Sequence, residues 1–271
     1  LFIEKLELPK RVRRLIVSPA AELAQLPWAA LGGRTLDVTL VPSATVLLEI
    51  RHVSPKRLGK RVIVASPDYT YPGDADAPLM LYAGGLPLPP LPFADAEGRA
   101  LKRQNDVLLT AEHATEGKLA DAIREAGDDT VLHFACHGIL NERQPSLSSL
   151  ALAPSPVSDG FLTSPEILAM PGDYAVVVLS ACDVGSMLPA PGEGSVGVPR
   201  AFLGAGARSV VANLWRVDDK AGAAFMRHFH DALERGPVAA LREARRKLAA
   251  EDARWRDPYY WAGWVVWGGA R

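Results

Sequence analysis

The sequence predicts an α/β fold built on a doubly wound, mainly parallel sheet flanked by helices on both faces. Three observations lead there. Short β-branched runs recur along the chain, several are apolar throughout rather than alternating, and amphipathic helical stretches lie between them. Unbroken apolarity marks strands covered on both faces, and strand–helix alternation marks parallel crossover units.

The runs are Arg14–Val17, Leu36–Val41, Arg61–Ala65, Val107–Thr110, Thr130–Ala135, Leu150–Ala153, Ala175–Ser180 and Arg208–Ala212. Between them, His113–Ala126 sets Ala114, Leu119, Ala120 and Ile123 near one face, behind a Glu112/Thr115/Glu116 start. Asp218–Leu233 carries Ala221, Phe225, Met226, Phe229 and Leu233 at helical spacing. Pro237–Ala253 carries Val238, Leu241, Ala244 and Leu248, with Arg242, Arg245, Arg246 and Lys247 around the outside. Seven prolines and three glycines in Ser66–Pro92 predict a long surface loop or insertion with no regular element. Trp261, Trp264 and Trp267 predict a last strand, near Trp261–Trp267, docked in the core. The expected organisation is a flank over 1–11 and one domain over 12–271.

Composition narrows the function classes. The 271 residues, 48% of them hydrophobic, suffice for a substantial core. Lys+Arg 30 against Asp+Glu 31 gives a net charge of −1, with no overall field for nucleic acid or anionic membrane. The basic stretches Lys10–Arg14 and Arg242–Lys247 lack an interleaved aromatic platform and read as a flanking segment and a solvated face. No apolar run approaches the roughly 18 residues that span a bilayer. The start lacks the regions of a signal peptide and an initiator Met, as a piece of a longer protein would. Cys136 and Cys182 are too few for a disulfide scaffold, so a reducing cytoplasm is the expected location. Their spacing does not suggest a structural zinc site, and no cofactor or metal is expected.

Two apolar runs end in reactive side chains. Thr130–Ala135 leads into Cys136-His137-Gly138, and Ala175–Ser180 leads through Ala181 into Cys182-Asp183-Val184-Gly185. Ligands bind outside the carboxyl ends of parallel strands. His137 and Cys182 are 45 residues apart, room for a hairpin, a helix and the return strand. If the two strands are neighbours, imidazole and thiol share one rim. A thiolate is the nucleophile, and a nearby His takes its proton and later protonates the leaving amine. Gly138 and Gly185 admit a peptide backbone closely, and the N–H groups of Gly138 and Cys182 are candidates for an oxyanion hole. Spacing alone favours plain packing for both residues. Cys136 points away from His137's face and reads as a small buried hydrophobe; His133 reads as a core residue, and His228 and His230 as surface residues.

His-Gly after one strand and small-residue-Cys after the next resembles the caspase-like cysteine peptidases, and specifically the CHAT domain, a bacterial relative of caspases and separases often joined to helical repeats. The stretches that match are Leu26–Leu31, Val41–Ala44, His133–Gly138, Leu179–Cys182, Asn213–Asp219 and Pro258–Gly263, in the expected order over about residues 12–271. The setting of Cys182 departs from the caspase Gln-Ala-Cys signature. The resemblance implies a caspase-like fold and a His/Cys dyad, His137 as acid/base and Cys182 as nucleophile, working through an acyl-enzyme on a protein substrate. Asn-Leu-Trp-x-Val-x-Asp is similar to the separase stretch whose acidic residue receives a basic P1 side chain. That makes Asp219 the candidate pocket residue and Asp218 the second.

Several alternatives stay open on sequence. Asp218 or Asp219 is equally suited to capping the helix that starts near Lys220, and Arg216 in the same stretch suits an acidic P1. Asp183 is either a substrate contact or a turn residue. Glu193, in the Gly/Pro-rich loop Asp183–Val198, either adds charge to the cleft or sits in a solvated loop that rearranges on activation. The resemblance implies a defence or cell-death role, with a gasdermin-like pore former as possible substrate and a helical-repeat region or activator protein as partner. The competing class is a latent or non-catalytic CHAT interaction module.

Overall fold

The computed structural model describes residues 8–9, 11–31, 36–52, 57–71, 74–78, 88–170, 172–181, 184–185, 188–190 and 194–269. Its centre is an eight-stranded sheet of β1 (Arg14–Val17), β2 (Asp37–Leu40), β3 (Arg61–Pro67), β4 (Val107–Ala111), β5 (Thr130–Ala135), β6 (Tyr174–Leu179), β7 (Ser209–Asn213) and β8 (Trp264–Gly268). The spatial order is β1-β2-β8-β7-β6-β5-β3-β4. Neighbours are parallel except β7 and β8, where Ser209 faces Gly268 and Asn213 faces Trp264. The last strand predicted from the tryptophans is β8, entered through a turn of 3-10 helix over Pro258–Tyr260.

Helices cover both faces, as the apolar runs require. Alternate strand residues face opposite ways. Val62, Leu132, Phe134, Val177, Leu179 and Val210 pack on one side with Leu119, Ile123, Phe202 and Ile167. Those come from α3 (Glu116–Ala126), α5 (Val198–Gly204) and α4 (Ser164–Ala169). Ile63, Val131, Ala135, Val176, Val178 and Val211 pack on the other side with Phe225, Phe229, Leu241 and Leu248. Those belong to α6 (Asp219–Ala232) and α7 (Pro237–Glu251), with α2 (Pro92–Leu101) beside them; α1 (Ala44–His52) lies near β8. Every residue of β5, β6 and β7 is buried, which fits a strand screened on both sides. At the amino ends of β5, β6 and β7, Arg208 bridges Asp173 at 2.7 Å and Asp129.

The sequence expectations need three corrections. Leu150–Ala153 is not in the main sheet: Ser149–Ala151 pairs antiparallel with Gly138–Ile139 and with Phe161–Thr163 in a side ribbon. That ribbon packs Ala151, Ile139 and Phe161 against Tyr69 and Leu88 on one face, while Leu150, Leu152 and Leu162 join the main core on the other, so the run is apolar because both its faces are covered. The Ser66–Pro92 stretch contains regular structure. β3 runs to Pro67, Thr70–Tyr71 pairs with Asp74–Pro78, and Pro92 opens α2, where a missing N–H costs nothing. His228 and His230 are buried, because α6 is flanked by α2 and α7 as well as by the sheet. No helix among the described residues is long and apolar enough to cross a membrane.

The close seat of α2 on the sheet depends on Gly98. A Cβ there would collide with the Cβ of Ala65 and come within 3.1 Å of Leu108 Cδ1. Neither backbone can yield cheaply in a packed interface. Gly98→Ala should lower unfolding stability by about 1–3 kcal/mol in denaturant titration, despite its higher helix propensity.

Candidate active site

β5 and β6 are adjacent and parallel, with Leu132 opposite Val177, His133 opposite Val178 and Phe134 opposite Leu179. Both strands therefore deliver their following residues to one rim. The strand order reverses beside β3, whose successor β4 lies on one side and whose later neighbour β5 lies on the other. The carboxyl end of such a reversal leaves a crevice. A cleft of about 280 Å³ opens there, lined by Leu88, Pro89, His137, Gly138, Ser180 and Ala181 on one side, and by Asn213, Arg216, Asp218, Asp219 and Gly222 on the other. Glu97 and Ala94 of α2 and Trp264 of β8 complete its wall.

His137 is held from two directions. Its Nε2 lies 2.8 Å from the carbonyl oxygen of Pro89. A carbonyl can only accept, so Nε2 carries the proton and Nδ1 keeps its lone pair. The Tyr69 hydroxyl accepts the His137 backbone N–H at 3.3 Å, and the two rings pack at 5.2 Å. Burial pushes the Tyr69 hydroxyl well above its ordinary range, so it stays protonated. For His137, burial lowers the pKa; the Pro89 carbonyl opposes this, Arg216 adds to it, and Asp219 opposes it. The ring is thus a free base at neutral pH, with Nδ1 available to take a proton.

Gly138 follows in the side ribbon. The Ala151 N–H donates to the His137 carbonyl at 2.9 Å, and Gly138 stands opposite Leu150. That register makes Gly138–Leu150 a non-hydrogen-bonded pair, so the Gly138 N–H points out of the ladder. The opposite wall is tied to the same framework. Asn213 accepts the Gly185 N–H at 3.0 Å, and Leu214 donates to Gly263 at 3.0 Å. Tyr259 bonds Arg216 through its hydroxyl at 3.0 Å and accepts from Trp215 Nε1 at 3.0 Å. The stretches Asn213–Asp219 and Pro258–Gly263 are therefore one structural unit.

Of the candidate residues, His137, Gly138, Asp218 and Asp219 come together around the cleft. Asp218 Oδ1 accepts the Ala221 N–H at 3.0 Å and is the N-cap of α6; Asp219 is that helix's first residue. Cys182, Asp183 and Glu193 lie outside the described residues. Cys136 is buried, and its residue also borders the cleft. Sequence reasoning missed Tyr69, Pro89 and Glu97. Pro89 acts through its backbone carbonyl, which no side-chain pattern reveals, and Glu97 sits on α2, a helix that opens at the last residue of the loop expected over Ser66–Pro92 and that the strand and helix patterns did not mark.

The CHAT domain family model matches residues 2–269. Tetratricopeptide repeat protein 28 of Homo sapiens is 33% identical over 116 residues, 42% of this chain and 5% of that protein. Among solved structures, the separase of the Saccharomyces cerevisiae separase–securin complex is similar with a TM-score of 0.60 at 16% identity, over 94% of this chain and 16% of that one. The Porphyromonas gingivalis RgpB pro- and mature-domain complex gives 0.60 at 10% identity, over 98% and 66%. The Arg-specific cysteine proteinase gingipain R gives 0.57 at 10% identity, over 98% and 66%. These likenesses establish the caspase-like fold. The chain spans a small part of the human relative and of separase, and about two thirds of the gingipain.

The electrostatics of His137 can be checked directly. With Cys182→Ala as background, NMR titration of the His137 ring should show a midpoint below the ordinary imidazole value. Arg216→Gln should raise that midpoint by removing a nearby cation, and Asp219→Asn should lower it by removing an anion.

Proposed function

This chain belongs to the CHAT domain family, and on that premise we propose that it is a cysteine endopeptidase with His137 as acid/base and Cys182 as nucleophile, cutting a protein partner after a basic residue. The observation that carries the reading is the register of β5 and β6. Leu132 with Val177 and Phe134 with Leu179 are each 45 residues apart, the same interval that separates His137 from Cys182. Ala181, the residue before Cys182 in sequence, lines the same cleft as His137.

The chemistry proceeds in two halves. His137 Nδ1 takes the proton from the Cys182 thiol as sulfur attacks the scissile carbonyl carbon. The oxyanion that forms is met by the N–H groups of Gly138 and Cys182. Collapse expels the amine, which receives its proton from the His137 imidazolium, and leaves a thioester on Cys182. Water, deprotonated by the same imidazole, then hydrolyses the thioester and restores the thiol. The Pro89 carbonyl supports both directions, because it accepts from Nε2–H and so stabilises the charged ring. The resemblance to proteases of bacterial defence offers a gasdermin-like pore former as one class of protein substrate.

The basic P1 preference is supported by the carboxylates of Asp219 and Asp218 beside the cleft, and by the likeness of Asn213–Asp219 to the separase pocket stretch. Arg216 shares that wall, and its placement near His137 is felt as a lowering of the imidazole pKa. Asp183 and Glu193 stand as further candidate contacts on the nucleophile's loop.

Cleavage of a peptide library tests the assignment. Cys182→Ala and His137→Ala should each cut the rate by at least about a thousandfold, while Cys136→Ala should keep most of it. Equal loss in Cys136→Ala and Cys182→Ala would refute the nucleophile. A thiol probe that labels Cys182 only after a partner is added would identify a latent enzyme rather than an inert module.

A further inference from the structure

A second cavity shares one segment of chain with the candidate cleft: Trp264 lines the cleft, and Trp261 lines the cavity. The cavity holds about 700 Å³ between the start of β2 and α7. That volume suits a small organic ligand. Leu36, Val38, Val238 and Leu241 give it an apolar wall, with Val38 and Leu241 buried. The rest of the wall is cationic, from Arg242, Arg245, Arg246 and Arg256. Asp37 is the one carboxylate among the described lining residues.

The four guanidiniums are held differently. Arg242 donates to Asp37 Oδ1, and Arg246 makes two bonds to Glu243 at 2.7 and 3.0 Å. Arg256 Nε donates to the Ala249 carbonyl at 3.3 Å, and Arg256 makes no ion pair among the described residues. Arg245 Nη2 donates to the Trp264 carbonyl at 2.9 Å, and its guanidinium lies 5.6 Å from the centre of the Trp261 ring. Burial lowers the Arg245 pKa to about 10, which leaves it charged at neutral pH. The lining is therefore positive, and a positive cavity recruits an anion. A phosphate monoester is nearly a dianion at neutral pH, with three acceptor oxygens that guanidinium forks grip two at a time. The apolar wall calls for an apolar body on the same molecule.

The residues that line this cavity also hold the cleft wall. Trp261 Nε1 donates to the Arg256 carbonyl at 3.2 Å. Two positions on, the Gly263 carbonyl accepts the Leu214 N–H, and Tyr259 bonds both Trp215 and Arg216. A ligand that engages Arg245, Arg256 or Trp261 thus loads the segment that braces Arg216 and carries Trp264 of the cleft.

We propose that this cavity binds a small phosphate monoester with an apolar body, and that its occupancy is transmitted to the cleft wall through residues 258–264. The binding stands on its own; an effect on cleavage rests on the peptidase reading above.

Isothermal titration of the chain with naphthyl phosphate, naphthol and inorganic phosphate tests the site. The ester should bind at least about tenfold more tightly than either fragment. Arg256→Gln, a change at an exposed side chain, should weaken the ester by about tenfold or more. Ala249→Leu fills the cavity from α7 with every charge kept, and should abolish ester binding. Naphthol binding as tightly as the ester, or ester affinity that survives Arg256→Gln or Ala249→Leu, overturns the site. In NMR spectra, the Trp215 indole N–H and the Leu214 amide should shift along the same saturation curve as the calorimetry. Signals that stay fixed at saturation overturn the transmission. Ester binding and the Trp215 shift intact in a protein that cleaves no peptide would refute the peptidase reading and leave this site standing.

Discussion

The parallel ladder between β5 and β6 is the constraint on which the site depends. Parallel pairing fixes the relative height of two strands by evenly spaced backbone bonds, so the residues beyond their ends inherit that height. Slipping the register by one residue would turn the buried Val131, His133 and Ala135 toward the wrong helix layer. The apolar content of both strands makes such a slip prohibitive, because each side chain is already buried against a particular layer. The hydrophobic core therefore sets the height of the strand ends, and the segments that follow them, Pro89 and Tyr69 among them, orient the side chains there.

His133 and His137 show how one strand serves two environments. His133 points into the α2/α6 layer and bonds Glu97 and His230. His137, past the end of the strand, meets Pro89 and Tyr69 at the rim. The first pair of partners comes from helices and the second from the segment that follows β3. Polar burial under the cleft and orientation within it thus share a single element, and a change that loosened β5 would disturb both. The low dielectric under the cleft strengthens each of these contacts and raises the penalty for leaving any of them unmade.

How much was legible in sequence follows from the physics of each element. Thr130–Ala135 was read at its observed boundaries because a strand buried on both faces writes an unbroken apolar run. Leu150–Ala153 wrote a similar run while belonging to a side ribbon, since a short buried strand looks alike in either setting. Pro92 was read as part of a loop although proline suits a first helical turn. His228 and His230 looked like surface residues because helical spacing identifies one buried stripe, whereas α6 is enclosed on further sides; Glu251 meets His228 at 2.9 Å and His133 meets His230. Among the site residues, His137 and Gly138 were legible from their place after a strand. Pro89 was not, because a backbone carbonyl carries no residue code, and Glu97 was not, because its partner lies 36 positions away on another element.

The start of α6 explains why carboxylates at different depths in the cleft are unequal. Asp218 caps the helix and Asp219 occupies its first turn, where the helix presents its positive end. Their negative charge is therefore partly answered by unpaired N–H groups and, at the rim, by water. Glu97 is answered in another way. It lies in the C-terminal half of α2, 6% exposed, and its partner is the side chain of His133 on β5 at 2.8 Å. Carboxylate charge at the rim of the cleft is thus met by the start of a helix, and carboxylate charge beneath it by a side chain of the central sheet.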